Sequence, residues 1–412
     1  MAFKNSVALY KARNNRAPPF NYDKWFDNAW AKKCVLDDYE QIWEDLAPFH
    51  QLGSDEYRRR LNILANDHPE MAYIWITNGN GNEIHNSVET LDGNWKQLLA
   101  RSSRSVSNVS IFLSGYDEPR ILAYNQKPDS GKELSDDKLK WFDGNNTNYS
   151  EVMSKFCKIR YPLKPLGFIN DNHGFLIQPD SWHFALSHIP VLAQTKLSKC
   201  FSDILIPSHY HYPFDPSMKI TKSWEERLPK LYWRGSATGG HAAKDNWINF
   251  HRQRLIQMYK NNTELFDIGI VAYPQCEEEA CEAQKQRLGE TPRDPPHAHE
   301  AYKYILDIDG NTFSGRFPRL LVSGGLVFKM TIFTEYFSKW LQPYVHYIPV
   351  SPDLSDLESK IKWAIDHDEK AKEIAENGRR FALTRLSNEQ MECYTELLLL
   401  EMSRLETGNE MK

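Results

Sequence analysis

The chain has 412 residues, which exceeds the size of one typical domain and favours two. Its residues are 41% hydrophobic and 25% charged, as is usual for globular proteins. The net charge of −5 argues against a general nucleic-acid-binding protein, which would normally be basic. Aromatic residues make up 13% of the chain, and their faces can stack on sugar rings, although core packing is the simpler explanation for any single tryptophan.

The N-terminus and the glycosylation acceptors bear on the cellular compartment. The sequence has no apolar run of the ~18 residues that a membrane span needs, and its start lacks the apolar core of a signal peptide. The protein is therefore expected in the cytosol unless an anchor is missing from this chain. Four Asn-x-Ser/Thr acceptors point weakly to a secretory lumen, at Asn108, Asn145, Asn148 and Asn261.

The first part of the chain predicts helices followed by strands. A turn-forming Asn-Gly-Asn-Gly run at 78–81 closes the first strand, and residues 125–150 are expected to form a mobile surface loop. The predicted elements are a polar arm and a helix in 1–30, helical segments in 35–65 interrupted near Pro48, and strands at 72–77 and 109–114.

From residue 230 onward, strands alternate with helices, which predicts a doubly wound parallel sheet. In such a sheet, ligands bind beyond the carboxyl ends of the strands. The predicted strands are 230–233, 268–272, 302–308, 326–330 and 346–350. The predicted helices are 246–260, 316–322, 333–341, 354–367, 369–383 and a long amphipathic helix at 388–405.

The first candidate site is Trp233-Arg234-Gly235-Ser236, followed by Ala-Thr-Gly-Gly, directly after a strand and before a helix. Small residues let backbone N–H groups approach phosphate oxygens, and Arg234 adds a cation with bidentate geometry. A plain strand-to-helix connection would also explain the glycines. The run matches neither the dinucleotide fingerprint nor the ATPase phosphate loop.

The second candidate site spans residues 309–319 and again follows a strand and opens a helix. We expect Ser314 to cap the helix and Arg316 and Arg319 to lie in its first turn. Cations there oppose the helix dipole, so a second role such as binding a diphosphate would explain their presence. The alternative is that both arginines are solvated.

The third candidate is Asp117, just past a strand in Gly115-Tyr116-Asp117-Glu118-Pro119. A carboxylate at a strand end that faces a cleft can deprotonate a sugar hydroxyl. From these residues alone, however, a turn residue is the better explanation for Asp117.

Two patterns raise the question of a metal. Asp307 and Asp309 have the Asp-x-Asp form that some glycosyltransferases use to hold a divalent ion, but an Asp-Gly turn explains them at least as well. Cys276, Cys281, His297 and His299 could be zinc ligands, although their spacing fits no standard zinc finger. The six cysteines are too few and scattered for a disulfide scaffold, but the first two of these four are close enough for a local bridge.

Three C-terminal stretches, LYWRGSATGG, YKYILDIDGNTFSGRFPRLLVSGGLVFK and WLQPYVHYIPVSPDLSDL, resemble glycosyltransferase family 90. That family includes fungal capsule-associated xylosyltransferases and animal Rumi-type protein O-glucosyltransferases. The N-terminal stretches RAPPFNYDKWFDNA and DDYEQIWEDLAPF resemble the fungal branch. The resemblance covers nearly the whole chain and implies an α/β fold of the GT-B type, with two Rossmann-like domains facing across a cleft.

On this basis we expect an acceptor-side domain over residues 1–222 that carries the base, and a UDP-sugar-binding domain over 223–385. A final helix within 386–412 is expected to pack back on the N-terminal domain. The resemblance implies inversion, so that an α-linked UDP-sugar gives a β-glycoside by in-line displacement.

The resemblance also implies roles for single residues. Asp117 matches the acidic base of the animal enzymes, and Arg316 matches an arginine that contacts the diphosphate. Lys244 is assigned from a downstream basic position, across a gap of different length. The expected nucleotide-sugar-binding residues are Arg234, Gly235, Ser236, Lys244, Ser314, Gly315, Arg316 and Arg319.

The sequence therefore predicts an inverting glycosyltransferase with a UDP-sugar donor, xylose first and then glucose or galactose. No cofactor is expected to be required, a divalent metal is expected to be dispensable, and Asp307 and Asp309 are expected to be structural. The acceptor would be a glycan, glycolipid or protein; no nucleic-acid partner is expected. We expect the Golgi or secretory lumen, with a membrane reached only through an anchor absent from this chain. The alternatives are a non-catalytic UDP- or carbohydrate-binding protein, a retaining transferase or a UDP-sugar hydrolase.

Overall fold

The computed structural model describes residues 2–67, 72–79, 81–86, 91–122, 141–143, 183–186, 188–197, 200–217 and 220–411. The described helices are α1 (Ala2–Asn14), α2 (Tyr22–Ala31), α3 (Glu40–Leu46), α4 (Ser54–Asp67), α5 (Gly93–Ser102), α6 (His251–Tyr259), α7 (Glu278–Leu288), α8 (Phe317–Val322), α9 (Leu357–Asp366), α10 (Asp368–Arg385) and α11 (Asn388–Thr407). The described strands are β1 (Ala72–Gly79), β2 (Gly81–Asn86), β3 (Asn108–Leu113), β4 (Ile121–Leu122), β5 (Trp141–Asp143), β6 (His183–Leu186), β7 (Val191–Ala193), β8 (Ile204–Leu205), β9 (Leu228–Ser236), β10 (Phe266–Ala272), β11 (Tyr302–Ile308), β12 (Leu326–Met330) and β13 (Ile348–Pro349).

The C-terminal half is built on a parallel sheet with the strand order β10-β9-β11-β12-β13. Helices α6, α7 and α8 connect successive strands of this sheet. Counted along the chain, the order is 2-1-3-4-5, which is a common doubly wound arrangement. Its connections leave the sheet in opposite directions on either side of β9 and β11, so a ligand crevice is expected beyond the carboxyl ends of these two strands.

The N-terminal half is built on a second sheet with the order β2-β1-β3-β7-β8. Strands β3, β7 and β8 are parallel, whereas β1 pairs antiparallel with both β2 and β3. The hairpin between β1 and β2 follows from the Asn-Gly-Asn-Gly run, since glycine accepts turn conformations that other residues resist. This half is thus a mixed sheet instead of a uniformly parallel one. The predicted α/β fold class, with a large sheet in each half of the chain, is confirmed.

Two local predictions were wrong in the C-terminal half. Residues 333–341 were expected to be helical but form turns. Backbone hydrogen bonds join Lys196 and Thr334 in both directions, at 3.1 and 2.8 Å, and these use the groups that a helix would need. The spacing of its aromatic residues resembled a helix face, but these side chains are buried between the two halves of the protein. Helix α8 begins one residue later than expected, with Arg316 and not Ser314 at its N-cap position.

The segment 125–150, predicted as a loop, lies outside the described residues except for β5. Helices α1 and α7 were not predicted, because α1 lies in the segment assigned to a polar arm and α7 in a run of glutamates.

Helix α11 contacts α2, α4, α5 and β3 of the N-terminal half. It was expected to be amphipathic, yet every residue from 390 to 405 is buried. Its acidic residues find partners inside the protein: Glu392 pairs with Lys32 at 2.8 Å and accepts a hydrogen bond from Tyr212 at 2.9 Å. A helix that is buried all round needs such internal partners for its polar side chains.

Disulfides join distant and local parts of the chain. Cys34 is bonded to Cys393 across 359 positions, Cys276 is bonded to Cys281, and Cys200 is also disulfide-bonded. The expectation that the cysteines make no disulfide framework was therefore wrong. Because Cys276 and Cys281 are oxidised, they do not offer the thiolates that the zinc alternative needs.

We expect the double substitution Cys34→Ser/Cys393→Ser to lower the free energy of unfolding by about 2–5 kcal/mol, because this bridge closes a very long loop. Urea unfolding measures the change. Cys276→Ser/Cys281→Ser is the matched control and should cost less, since its loop is short. An equal or larger loss in the control would contradict the explanation.

Within the described ranges, no helix is both long and apolar enough to cross a membrane. Of the four glycosylation acceptors, Asn108 and Asn261 are exposed, while Asn145 and Asn148 lie outside the described residues.

Candidate active site

A cavity of about 540 Å³ lies where the ends of β9 and β11 meet the start of α8. This is the position that the strand order marks for a ligand. The described lining has one acidic residue, Asp294, against five arginines: Arg234, Arg252, Arg293, Arg316 and Arg319. A cavity walled mostly by one sign of charge attracts the opposite charge, so this lining suits an anion.

Arg316 offers a buried hydrogen-bond donor to an anion in the cavity. One guanidinium nitrogen, Nη1, donates to the carbonyl oxygen of Arg234 at 2.6 Å, whereas the buried Nη2 has no hydrogen-bond partner among the described residues. Burial lowers the pKa of Arg316, and Asp307 and Tyr232 oppose that shift. A buried donor without a partner costs free energy that a bound anion would recover.

Arg234 was expected to bind the nucleotide-sugar, but in the structure it forms ion pairs within the protein. Its guanidinium pairs with the carboxylate of Asp267 at 2.6 Å and with that of Asp294 at 3.0 Å. The hydroxyl of Tyr302 donates to Asp267, and that of Tyr232 donates to Asp294 at 3.0 Å. The charge of Arg234 is thus already matched inside the protein, and its side chain forms a fixed wall of the cavity.

Two glycines at this site are required by close packing. A Cβ at Gly235 would lie 2.5 Å from Cζ2 of Trp233, and a Cβ at Gly315 would lie 2.9 Å from Cβ of Tyr210. The second contact matters for function, because Tyr210 belongs to the N-terminal half. Gly315 therefore marks where the two halves of the protein touch beside the cavity.

The remaining predicted binding residues divide into two groups. Ser236 and Arg319 line the cavity, and Ser314 lies beside Arg316 with a buried hydroxyl that finds no hydrogen-bond partner in the described part of the chain. Arg319 is exposed and can move toward a ligand. Lys244, in contrast, is exposed on the segment before α6 and does not line the cavity.

Arg252 is a residue of this site that sequence reasoning missed. It donates to the carbonyl oxygens of Asp309, Ser236 and Ile308 at 2.7, 2.9 and 3.1 Å. Burial and the neighbouring Arg316 together lower its pKa to about 9, with Asp309 and Asp307 opposing the shift. Arg252 thus ties the loop after β9 to the loop after β11. Nothing in the local pattern of α6 distinguishes it from a solvated arginine.

The two carboxylates of the Asp-x-Asp pair make contacts within the protein. Asp307 is buried and pairs with Lys329 at 2.9 Å. Asp309 accepts a hydrogen bond from the backbone N–H of Ile332 at 2.9 Å, and burial raises its pKa to about 7. Neither carboxylate lines the described wall of the cavity.

Asp117 lies on the loop after β3 in the N-terminal half. It is half-buried, and its Oδ1 accepts hydrogen bonds from Gln194 at 3.2 Å and from Tyr210 at 3.3 Å. Because Tyr210 also packs on Gly315, Tyr210 links Asp117 to the loop that carries Arg316.

Glu118 is a second carboxyl here that the sequence did not single out. It is only 3% exposed, and burial raises its pKa to about 7, with Arg120 opposing the rise and Asp117 adding to it. A group with a pKa near 7 suits acid–base work. However, the buried Glu118 is less accessible to a bound hydroxyl than the half-buried Asp117.

We expect Glu118→Gln to stabilise the protein increasingly as the pH rises. A carboxyl whose pKa is raised by folding contributes stability below its unfolded value of 4.5, and loses that contribution as the pH passes about 7. The gap between variant and wild type should therefore widen between pH 5 and pH 8, by up to about 3 kcal/mol. Urea unfolding at both pH values measures it. Glu290→Gln, at an exposed glutamate, is the control, and an equal widening there would refute the assignment to Glu118.

Residues 216–411 match the model of glycosyl transferase family 90. This stretch, the family 90 region, is similar to that family. This family 90 region contains the cavity and its five arginines, but it begins after Asp117, Gln194 and Tyr210.

Two relatives of the family 90 region carry informative names. Protein O-glucosyltransferase 2 of Danio rerio is 34% identical over 190 residues, covering 44% of this chain and 34% of its own length. Protein O-glucosyltransferase 1 of Rattus norvegicus is 32% identical over 189 residues, covering 45% of this chain and 44% of its own length. The match thus spans less than half of each relative. The crystal structure of TarM aligns with a TM-score of 0.32 and 13% identity, over 44% of this chain and 37% of that one.

Proposed function

We propose that this protein is an inverting glycosyltransferase that moves a sugar from a UDP-sugar to a hydroxyl group and forms a β-glycoside. The observation that carries the proposal is the arginine-lined cavity at the switch point of a family 90 sheet, with the unpartnered Nη2 of Arg316 beside it. The donor would bind in the part from 223 to 385, and the acceptor in the part from 1 to 222. The helix within 386–412 would belong structurally with the acceptor part.

In the proposed mechanism, Arg316 and Arg319 hold the diphosphate near Ser236 and Ser314. The acceptor hydroxyl lies beside Asp117, which takes its proton as the oxygen attacks the anomeric carbon. The bond from that carbon to the diphosphate oxygen breaks, and UDP leaves with the electron pair. The arginines stabilise the charge that develops on UDP, which is the part of such a reaction where fixed cations contribute most.

The proposal assigns no catalytic role to a divalent metal. Asp307 is already paired with Lys329, and Asp309 holds the backbone of Ile332. The chemistry expected of a metal, neutralising the leaving diphosphate, falls to the arginines instead.

The donor sugar and the acceptor are proposed from two sources. The fungal-type stretches favour xylose as the donor sugar, whereas the names of the relatives favour glucose and a protein acceptor. Galactose is the third candidate donor sugar, and a glycan and a glycolipid are the other candidate acceptors. The disulfides and the exposed Asn108 and Asn261 favour the oxidising lumen of the secretory pathway.

A donor panel tests the proposal. Purified protein is given UDP-xylose, UDP-glucose or UDP-galactose, with and without a hydroxyl acceptor, and the release of UDP is measured before and after adding a chelator. Acceptor-dependent release that survives the chelator is expected. Release without any acceptor would indicate a hydrolase, and binding of UDP without release would indicate a non-catalytic protein.

A further inference from the structure

The carboxylate of Asp117 is held from one side by a buried amide. Gln194 is 1% exposed, and its Nε2 donates to Oδ1 of Asp117 at 3.2 Å and faces the carbonyl oxygen of Tyr116 at 3.3 Å. The orientation of this amide follows from its other end. The backbone N–H of Tyr210 donates to Oγ of Ser208 at 3.1 Å, so the Ser208 hydroxyl is free to donate to Oε1 of Gln194 at 2.7 Å. The other end of the amide faces the carbonyl oxygen of Tyr116 and the carboxylate of Asp117, which both only accept hydrogen bonds, so the atom that points to Asp117 is the amide nitrogen.

The same oxygen of Asp117 is held from another side by Tyr210. Its hydroxyl donates to Oδ1 at 3.3 Å, and burial together with Asp117 raises the pKa of Tyr210 to about 12, which keeps the hydroxyl protonated. The tyrosine ring lies 4.0 Å from the ring of His209 and packs on Gly315, with its Cβ 2.9 Å from where a Gly315 Cβ would be. Tyr210 therefore touches both the acceptor-side carboxylate and the donor-side loop.

Both donors converge on Oδ1. Oδ2 of Asp117 has no hydrogen-bond partner among the described residues. A carboxylate held in this way through one oxygen keeps the other oxygen available and cannot rotate freely between its two ends. Preorganised groups of this kind lower the barrier because they are already oriented when the reaction begins.

We propose that Gln194 and Tyr210 are positioning residues that hold Asp117 Oδ1, so that Oδ2 takes the proton of the acceptor hydroxyl, and that Tyr210 aligns this carboxylate with the donor loop at Gly315. The inference rests on the proposed function and deepens it, because it assigns the two oxygens of the base to different tasks. The acceptor O–H bond breaks toward Oδ2, the oxygen bonds to the anomeric carbon, and UDP departs.

Tyr210→Phe tests this proposal, because it removes one hydroxyl and keeps the ring against Gly315. We expect kcat to fall about 10-fold, as for the loss of a hydrogen bond to a charged group, with the KM for the UDP-sugar and the Kd for UDP unchanged. Tyr336→Phe is the matched control, because the buried hydroxyl of Tyr336 has no hydrogen-bond partner within the described ranges. It should keep wild-type kcat.

The double variant Tyr210→Phe/Asp117→Asn separates positioning from a general structural effect. If Tyr210 acts through Asp117, the double variant should be no slower than Asp117→Asn alone. A further 10-fold loss in the double variant, or wild-type kcat in Tyr210→Phe, would overturn the proposal. Wild-type protein that transfers no sugar in the same assay would instead overturn the proposed function, and this inference with it.

Discussion

Asp117→Asn is expected to lower kcat by about 100- to 10,000-fold, the contribution usual for a general base. Asparagine has nearly the same shape and can still accept the hydrogen bonds from Gln194 and Tyr210, but it does not take a proton from the acceptor. The affinity for UDP should not change, because Asp117 is not part of the described lining of the arginine-rich cavity. Steady-state transfer rates and calorimetric titration with UDP measure the two quantities.

Glu118→Gln is the matched control for Asp117→Asn. The two carboxyls are neighbours, but Glu118 is buried, and its neutral replacement should keep kcat within a few-fold of the wild type. If Asp117→Asn kept a near wild-type rate and Glu118→Gln lost activity, the base would be Glu118 and the assignment to Asp117 would be wrong.

Arg316→Ala is expected to lower kcat by about 100- to 1000-fold and to weaken UDP binding as well. The guanidinium of Arg316 has an unused buried donor at the cavity, and removal of one such preorganised donor typically has an effect of this size. Transfer rates and titration with UDP measure both effects. Lys362→Ala removes an exposed cation on α9 and should leave both unchanged.

The two arginines of the cavity should respond differently. Arg234 is paired with Asp267 and Asp294, so Arg234→Ala should lower stability along with activity. Arg316 makes no such ion pair within the described part of the chain, so Arg316→Ala should lower activity with little change in the urea midpoint. A large stability loss in Arg316→Ala would show that its role is structural.

The sequence predicted the C-terminal sheet well because its signals are local. Strands β11 and β12 have the predicted bounds, since a buried parallel strand is mostly apolar and stands out from the polar segments around it. Asp117 and Arg316 were noticed at a strand end and a helix entrance, but the role of Asp117 as the base came only from the resemblance to glycosyltransferase family 90. The structure links the two through Tyr210 and Gly315, which gave no sequence signal of contact.

The features that sequence reasoning missed all depend on contacts between distant positions. Arg234 looked like a free cation, because Asp267 and Asp294 lie more than 30 positions away. The bridge between Cys34 and Cys393 links residues near opposite ends of the chain. Helix α11 was predicted to be amphipathic because its glutamates were taken to be exposed to solvent. In the structure they are buried and have partners such as Lys32. Local patterns carry no information about such pairings.

The anomeric configuration of the product tests the central claim most directly. The protein would be given an α-linked UDP-sugar from the donor panel and a hydroxyl acceptor, and the product would be examined by proton NMR before it can be further modified. In-line attack with Asp117 as the base predicts a β-glycoside and an equal amount of UDP. An α-glycoside, or free sugar released without any glycoside, would contradict the account.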